Sequence, residues 1–291
     1  MSSRGTATNR DATPPGTKGP AVLEIGNVSH SFGTPDGQTM EVLRDISFTV
    51  AEREFFTVVG PTGCGKTTLL NIAAGLAEPA GGSVRISRPG APGQAAPGQA
   101  APGQAGPAQS APTIGYITQD SNLLPWCTVA DNIMVGLEVR RVPKAERVSR
   151  AMDWAGRVGL AGFEKHYPRQ LSGGMQKRCA IARTMVYDPD IVFMDEPFSA
   201  LDAITRAVIQ KAFLELCEAT GKTVIFITHD LNEAIALSDR VAVMSGRPGR
   251  IKTIVDIPFA RPRDVYHVTR MPGFEDLHEQ LWACLDVDRE P

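Results

Sequence analysis

The residues best suited to chemistry in this chain form one run, Gly60-Pro61-Thr62-Gly63-Cys64-Gly65-Lys66-Thr67-Thr68. Its glycines let backbone N–H groups converge on an anion without a Cβ in the way. The run follows the apolar stretch Phe55 to Val59 and precedes Leu69-Leu70-Asn71-Ile72-Ala73-Ala74. It therefore reads as strand, tight loop and helix start, the context in which the spacing G-x-x-x-x-G-K-[ST] cradles phosphate. A helix opening near Gly65 adds the positive end of its dipole. Lys66 is expected on the β and γ phosphates of a nucleotide, and the Thr67 hydroxyl on Mg²⁺.

Such a loop needs a carboxylate at the end of a neighbouring strand to hold the metal. Asp195 follows Ile191-Val192-Phe193-Met194, a continuous apolar run typical of a strand buried on both faces. Glu196 beside it is then placed to orient and deprotonate an attacking water. That pair specifies a hydrolase more than a binder. A second anion site is offered by Leu171-Ser172-Gly173-Gly174-Met175-Gln176, where a Ser-Gly-Gly opening a helix leaves N–H groups free beside a hydroxyl. Taken alone, the same residues could be an N-cap and nothing more. Cys64 reads as a small filler of its loop or as a thiol open to oxidation.

These residues must be positioned by a fold in which strands and helices alternate. Ala21 to Val50 alternates apolar and polar residues around the turn-rich Gly33 to Gly37, which predicts antiparallel strands. Strands are expected at Ser83 to Ile86 and Thr113 to Thr118, ending at Gln119, and later at Thr223 to Thr228, Arg240 to Met244 and Arg250 to Val255. Helical spacing places helices at Val129 to Leu137, at Pro143 to Val158 (Val148, Met152, Ala155), and from Ser172 to the stop at Asp188-Pro189. Another spans Ala203 to Ala219 (Ile204, Val208, Ala212, Leu216), then a short one Leu231 to Leu237 and a last one Pro272 to Leu285. The fold class is α/β: a P-loop core with a mostly parallel sheet, an antiparallel β subdomain and an inserted α-helical subdomain, with ligands at the strand C-termini. The expected organisation is a leader over 1–19, a core domain over 20–258 and a helical extension over 259–291. Within the core domain, an insert falls at about 88–112 and the helical subdomain at about 120–188.

That insert carries Ala-Pro-Gly-Gln-Ala three times, from Ala91 to Ala105. It has almost nothing to bury, so a solvated loop between two strands of the antiparallel region is expected. With 42% hydrophobic residues, 30 Lys and Arg against 32 Asp and Glu, and no block of like charge, the composition is that of a globular protein without a nucleic-acid footprint. Five dispersed cysteines without a C-x-x-C pair argue against a disulfide framework or a zinc site and fit a reducing compartment. No secretory signal and no run long enough to span a membrane is found.

Taken in order, these motifs resemble the nucleotide-binding subunit of an ATP-binding cassette transporter, from about Val22 to Val255. Leu171 to Met175 resembles the signature L-S-G-G-Q, with Met175 in place of Gln. Gly60 to Thr67 resembles Walker A, Gln119 the Q-loop, Ile191 to Glu196 Walker B, Ser199-Ala200-Leu201-Asp202 the D-loop and His229 the switch histidine. Phe32 falls where the family carries an aromatic that stacks on adenine. The resemblance implies a head-to-tail dimer in which ATP on Lys66 and Thr67 of one copy is closed by Ser172, Gly173 and Gly174 of the other. It also implies Mg²⁺ bound through Thr67, Gln119 and Asp195, and Glu196 and His229 as catalytic residues.

Implied partners are integral membrane permease subunits, whose coupling helix docks near Gln119, and indirectly an extracytoplasmic solute-binding protein. The implied location is peripheral, on the cytoplasmic face of the membrane. Leu123-Leu124-Pro125-Trp126-Cys127-Thr128 to Ile133 and Ala260-Arg261-Pro262-Arg263-Asp264 resemble the nitrate, sulfonate and taurine importer ATPases, although Trp126 could equally be a helix-start staple. Another cargo, or a non-transport role in translation or repair, stays open, though a single cassette without heptads disfavours the latter.

Overall fold

The computed structural model describes residues 19–33, 37–88, 112–199 and 201–286. Residues 1–18 of the expected leader, most of the Ala-Pro-Gly-Gln-Ala insert, the middle of the turn after Gly33, Ala200 and residues 287–291 of the expected extension lie outside the described residues.

Two strands with alternating burial, β1 (Ala21–Gly33) and β2 (Thr39–Ala51), pair antiparallel. The chain then enters β3 (Phe55–Val59), all of it buried, the loop, α1 (Lys66–Ala73) and β4 (Gly81–Ile86). Next come β5 (Ile114–Ile117), α2 (Val129–Val139), α3 (Lys144–Arg157), α4 (Gly173–Met185) and β6 (Ile191–Asp195). The chain finishes with α5 (Ala203–Thr220), β7 (Thr223–Thr228), α6 (Leu231–Leu237), β8 (Arg240–Met244), β9 (Ile251–Asp256) and α7 (Phe274–Asp286).

The strands form a three-stranded antiparallel sheet, β2-β1-β4, and a six-stranded sheet, β5-β6-β7-β3-β8-β9, parallel except for β9. Both faces of the larger sheet are covered, so β3 and β7 are buried along their whole length, threonines Thr57, Thr223 and Thr228 included. In β3, Phe55 and Val59 join the core shared with α5, α6 and α7, whereas Phe56 and Val58 join the one shared with α1 and the antiparallel sheet. Phe48 of β2 stacks on Phe56 at 4.9 Å and locks the two sheets together. Helices α2, α3 and α4 bury a separate core around Ile133, Ala155 and Cys179.

Three expectations are corrected. The insert does not join two strands of the antiparallel region: it leaves β4 of the small sheet and returns as β5, an edge of the large one. In α3 Ala155 faces inward as expected, beside Ala151, but Val148 and Met152 are exposed, because small residues let the helix approach its neighbours closely. In α5 the inward face is Ile209, Phe213, Leu214 and Cys217, one residue round from the expected stripe, which leaves Ile204 79% exposed.

The tail that follows β9 is pinned by its arginines. Arg261 donates to Asp239 and Glu218, and Arg263 to the carbonyls of Phe259 and Ser238. Burial and the neighbouring Arg261 pull the Arg263 pKa down to about 10. Among the described residues no helix is long and apolar enough to cross a membrane.

Candidate active site

Three parallel strands, β6, β7 and β3, lie side by side, so their C-terminal ends deliver the loop, Asp195-Glu196 and His229 to one edge. The loop after β3 turns through two left-handed glycines, Gly63 at φ 78° and Gly65 at φ 101°. A Cβ on Gly65 would stand 2.9 Å from side-chain atoms of both Leu43 and Val42. Gly65→Ala is expected to cost about 2–3 kcal/mol through strain and overlap and to abolish ATP binding. Calorimetric melting and nucleotide titration of the variant check both. Cys64 is buried and burial raises its thiol pKa, which makes it a filler rather than a reactive group.

Lys66, 6% exposed, spans the loop by donating to the carbonyls of Gly60 at 2.9 Å and Pro61 at 3.0 Å. Arg247, in the turn between β8 and β9, holds the loop from outside through the Gly63 carbonyl at 2.9 Å, while its other nitrogen reaches the Met40 sulfur. Met40 lies opposite Phe32 in the β1–β2 ladder. Phe32 is 47% exposed and meets His30 edge-on, so an aromatic face stands near the loop with room for a flat partner.

Next to Lys66, the Thr67 side chain lies close enough to Asp195 to favour its ionised form. Burial pushes the Asp195 carboxyl above its ordinary range, Glu196 adds to that, and Thr67, Lys66 and Lys177 oppose it. A buried carboxylate whose ionised form is disfavoured gains most from a cation beside it. Among the described residues no group of three or more His, Cys, Asp or Glu could hold a metal. One carboxylate and one hydroxyl are, however, the protein oxygens Mg²⁺ takes when phosphates and water complete its shell.

Glu196 sits at φ 40°, a left-handed conformation uncommon for a residue with a side chain. The neighbourhood fixes it: its N–H donates to Ile227 at 3.0 Å, and its carbonyl accepts from the amide and hydroxyl of Ser199. Its Oε2 lies 2.9 Å from His229 Nδ1. Gln119 joins this group by donating to the Ser199 hydroxyl at 3.3 Å. A carboxylate so oriented against an imidazole, within reach of a phosphate loop, can accept a proton from water and hand polarity to a phosphoryl oxygen.

Other expected residues stand apart from this group. Ser172 caps α4 by accepting from the Met175 amide at 3.3 Å, and Asp202 caps α5 by accepting from the Thr205 amide at 3.0 Å, which holds its carboxyl below the ordinary range. Among the described residues neither hydrogen-bonds to the loop group. Gly173 opens onto free space, whereas a Cβ on Gly174 would come 2.5 Å from Thr205, so close packing of α4 on α5 already requires that glycine. Trp126 is 73% exposed and does not staple α2, whose start is fixed by a Thr128–Asp131 capping box.

The structure adds residues that the motifs did not single out. Glu233 accepts from Thr228 at 2.6 Å and from Gln210 at 2.9 Å, tying the strand end before His229 to α5. Lys177, 3% exposed, donates to the carbonyls of Thr118 and Gln119, and burial lowers its pKa to about 8. Lys177 lies three residues after buried Gly174 and four before buried Ile181, the spacing of an inward helix face. That spacing was a usable signal. Arg247, in an irregular turn, left none.

A family model described as ABC transporter matches residues 43–199. The chain is 47% identical over 242 residues to an uncharacterised ABC transporter ATP-binding protein of Methanocaldococcus jannaschii, covering 83% of this chain and 84% of that one. It is 39% identical over 262 residues to a taurine import ATP-binding protein of Pelagibacter ubique, covering 89% and 93% respectively. Among solved structures, a dimeric ATP-binding cassette in a post-hydrolysis state bound to ADP and Pi aligns with a TM-score of 0.67 at 28% identity, over 82% of this chain and 100% of that one.

Proposed function

The chain belongs to the ABC transporter family, and from that premise we propose that it powers uptake of a small anionic or zwitterionic solute of the sulfonate or taurine kind through a membrane permease. The chain is an ATP hydrolase coupled to transport. The observation that carries the catalytic part is the 2.9 Å contact between Glu196 and His229, beside a phosphate loop whose Thr67 favours the ionised form of Asp195.

In the proposed reaction, Lys66 and the loop amides hold the β and γ phosphates of ATP and Phe32 stacks on the base. Glu196 Oε2 takes a proton from water as its oxygen attacks the γ-phosphorus, and the bond to the ADP oxygen breaks to leave ADP and phosphate. His229, oriented through Nδ1 by Glu196, presents its other nitrogen to the γ-phosphate. Mg²⁺, held by Thr67 and Asp195 with Gln119 near, would neutralise charge on the β and γ oxygens. Ser172, Gly173, Gly174 and Asp202 of a second copy close the site from across a head-to-tail dimer. The separation of those residues from the loop group within one chain favours this arrangement, as does the dimeric form of the aligned cassette.

The named function of the Pelagibacter relative supports the importer assignment, and the exposed Trp126 beside the Gln119 loop supports docking on a permease there. The solute would reach that permease on an extracytoplasmic binding protein, and the chain would sit peripherally on the cytoplasmic face. Purifying the tagged chain from detergent-solubilised membranes tests this. A co-purifying multi-helix permease is expected, and recovery only with ribosomes or DNA contradicts it.

A further inference from the structure

The loop that carries Gln119 is held by its backbone, and the holding groups come mostly from one helix. Lys177 of α4 donates to the carbonyls of Thr118 at 2.7 Å and Gln119 at 2.8 Å. Arg183 of the same helix donates to Asn122 at 2.7 Å and Ser121 at 3.1 Å. The carbonyl between them, on Asp120, accepts from the Thr118 hydroxyl at 2.6 Å, and Asn122 donates back to that hydroxyl at 2.9 Å. Every carbonyl from Thr118 to Asn122 thus has a donor, four of the five from α4. Hydrogen bonds from charged donors are the strong ones, and a half-buried carbonyl that loses such a donor carries a desolvation cost. Lys177 is 3% exposed, so water does not readily replace it.

We infer that Lys177 and Arg183 are positioning residues for the reaction: they clamp the Gln119 loop to α4, so that the loop and the Ser172-Gly173-Gly174 end of that helix move as one body. On the proposed function, that helix end meets the partner copy's nucleotide while the loop serves the chain's own site and faces the permease. The clamp makes closure over one nucleotide and placement of Gln119 at the other a single event. This inference rests on the proposed role of Gln119, and its test separates the two.

A nitroxide label on Asp120→Cys, in a full-length chain with Cys127→Ser and Cys284→Ser, reports loop motion directly. Lys177→Met and Arg183→Leu should each shorten the label's rotational correlation time by about threefold or more. Each should also lower kcat by about 10- to 100-fold, because a displaced catalytic contact is costly, with ATP affinity unchanged within about twofold. Lys177→Arg, which can still reach both carbonyls, should restore a slow label and most of kcat. A label that stays immobile in both variants overturns the clamp, as does a loss of ATP affinity that tracks the loss of kcat, the mark of general destabilisation. Gln119→Ala is the control for the underlying role. If it leaves kcat intact, the assignment of Gln119 fails, whereas the label still decides whether α4 holds the loop.

Discussion

Replacing Glu196 with Gln lowers steady-state ATP hydrolysis by about 10²- to 10⁴-fold, the usual contribution of a positioned general base, while ATP binding stays within about twofold. The amide keeps the shape of the carboxylate and its hydrogen bond to His229, 2.9 Å away, so the φ 40° backbone and its contacts to Ile227 and Ser199 are undisturbed. Only the capacity to take a proton is removed. Lys66 and the loop amides, which hold the phosphates on the proposed reading, do not depend on that side chain. A coupled assay of phosphate release set against a nucleotide titration separates the two effects. Undiminished turnover would remove Glu196 from the mechanism and leave the site without an identified base.

Ser172→Arg is expected to abolish hydrolysis, by about 100-fold or more, and to leave the ATP affinity of a single chain near its original value. Ser172 is exposed and, among the described residues, its side chain makes one hydrogen bond, the cap of α4, so the loss of fold stability is limited to about 1 kcal/mol. The larger effect arises in the dimer. On the proposed head-to-tail arrangement, a long guanidinium at the helix mouth would fill the space through which the other copy's phosphates approach the N–H groups of the helix end. Ser172→Ala separates the two contributions, because it removes the cap and leaves the approach open. It should melt slightly earlier and retain far more activity than Ser172→Arg. A matching loss of ATP affinity in Ser172→Arg would put that serine in the chain's own site and contradict closure by a second copy.

The phosphate loop was legible because its chemistry is local: glycine spacing, a lysine and a threonine are consecutive, and the apolar runs on either side announce strand and helix. Asp195 was legible for the same reason, as the first polar residue after an all-apolar strand. The Glu196–His229 contact was not readable from spacing, since the two stand 33 residues apart in sequence. It arises because β6 and β7 are neighbouring parallel strands in register, Asp195 against Ile227, and only the resemblance to a known family anticipated it.

The face of α3 was misjudged at Val148 and Met152 because apolar bulk was weighed above size, and that of α5 because a second apolar stripe runs one residue away from the buried one. Ala151 and Ala155 face inward where close approach favours small side chains, and Ile204 and Val208 are left outside. The destination of the insert was hidden because β4 and β5 are both short strands, and nothing in either names its sheet. Lys177 was passed over because a helical lysine usually faces solvent; here its ammonium ends on two carbonyls in the protein interior. Gly174 was assigned to phosphate alone, whereas the approach of Thr205 gives it a packing reason as well.

Central to the account is a site completed by a second copy of the chain, and the mass of the Glu196→Gln protein in solution with saturating ATP and Mg²⁺ tests it most directly. Light scattering should give twice the 31.2 kDa of one chain, returning to the single mass when nucleotide is removed or when Ser172→Arg is added. A mass of 31.2 kDa with ATP bound would contradict it.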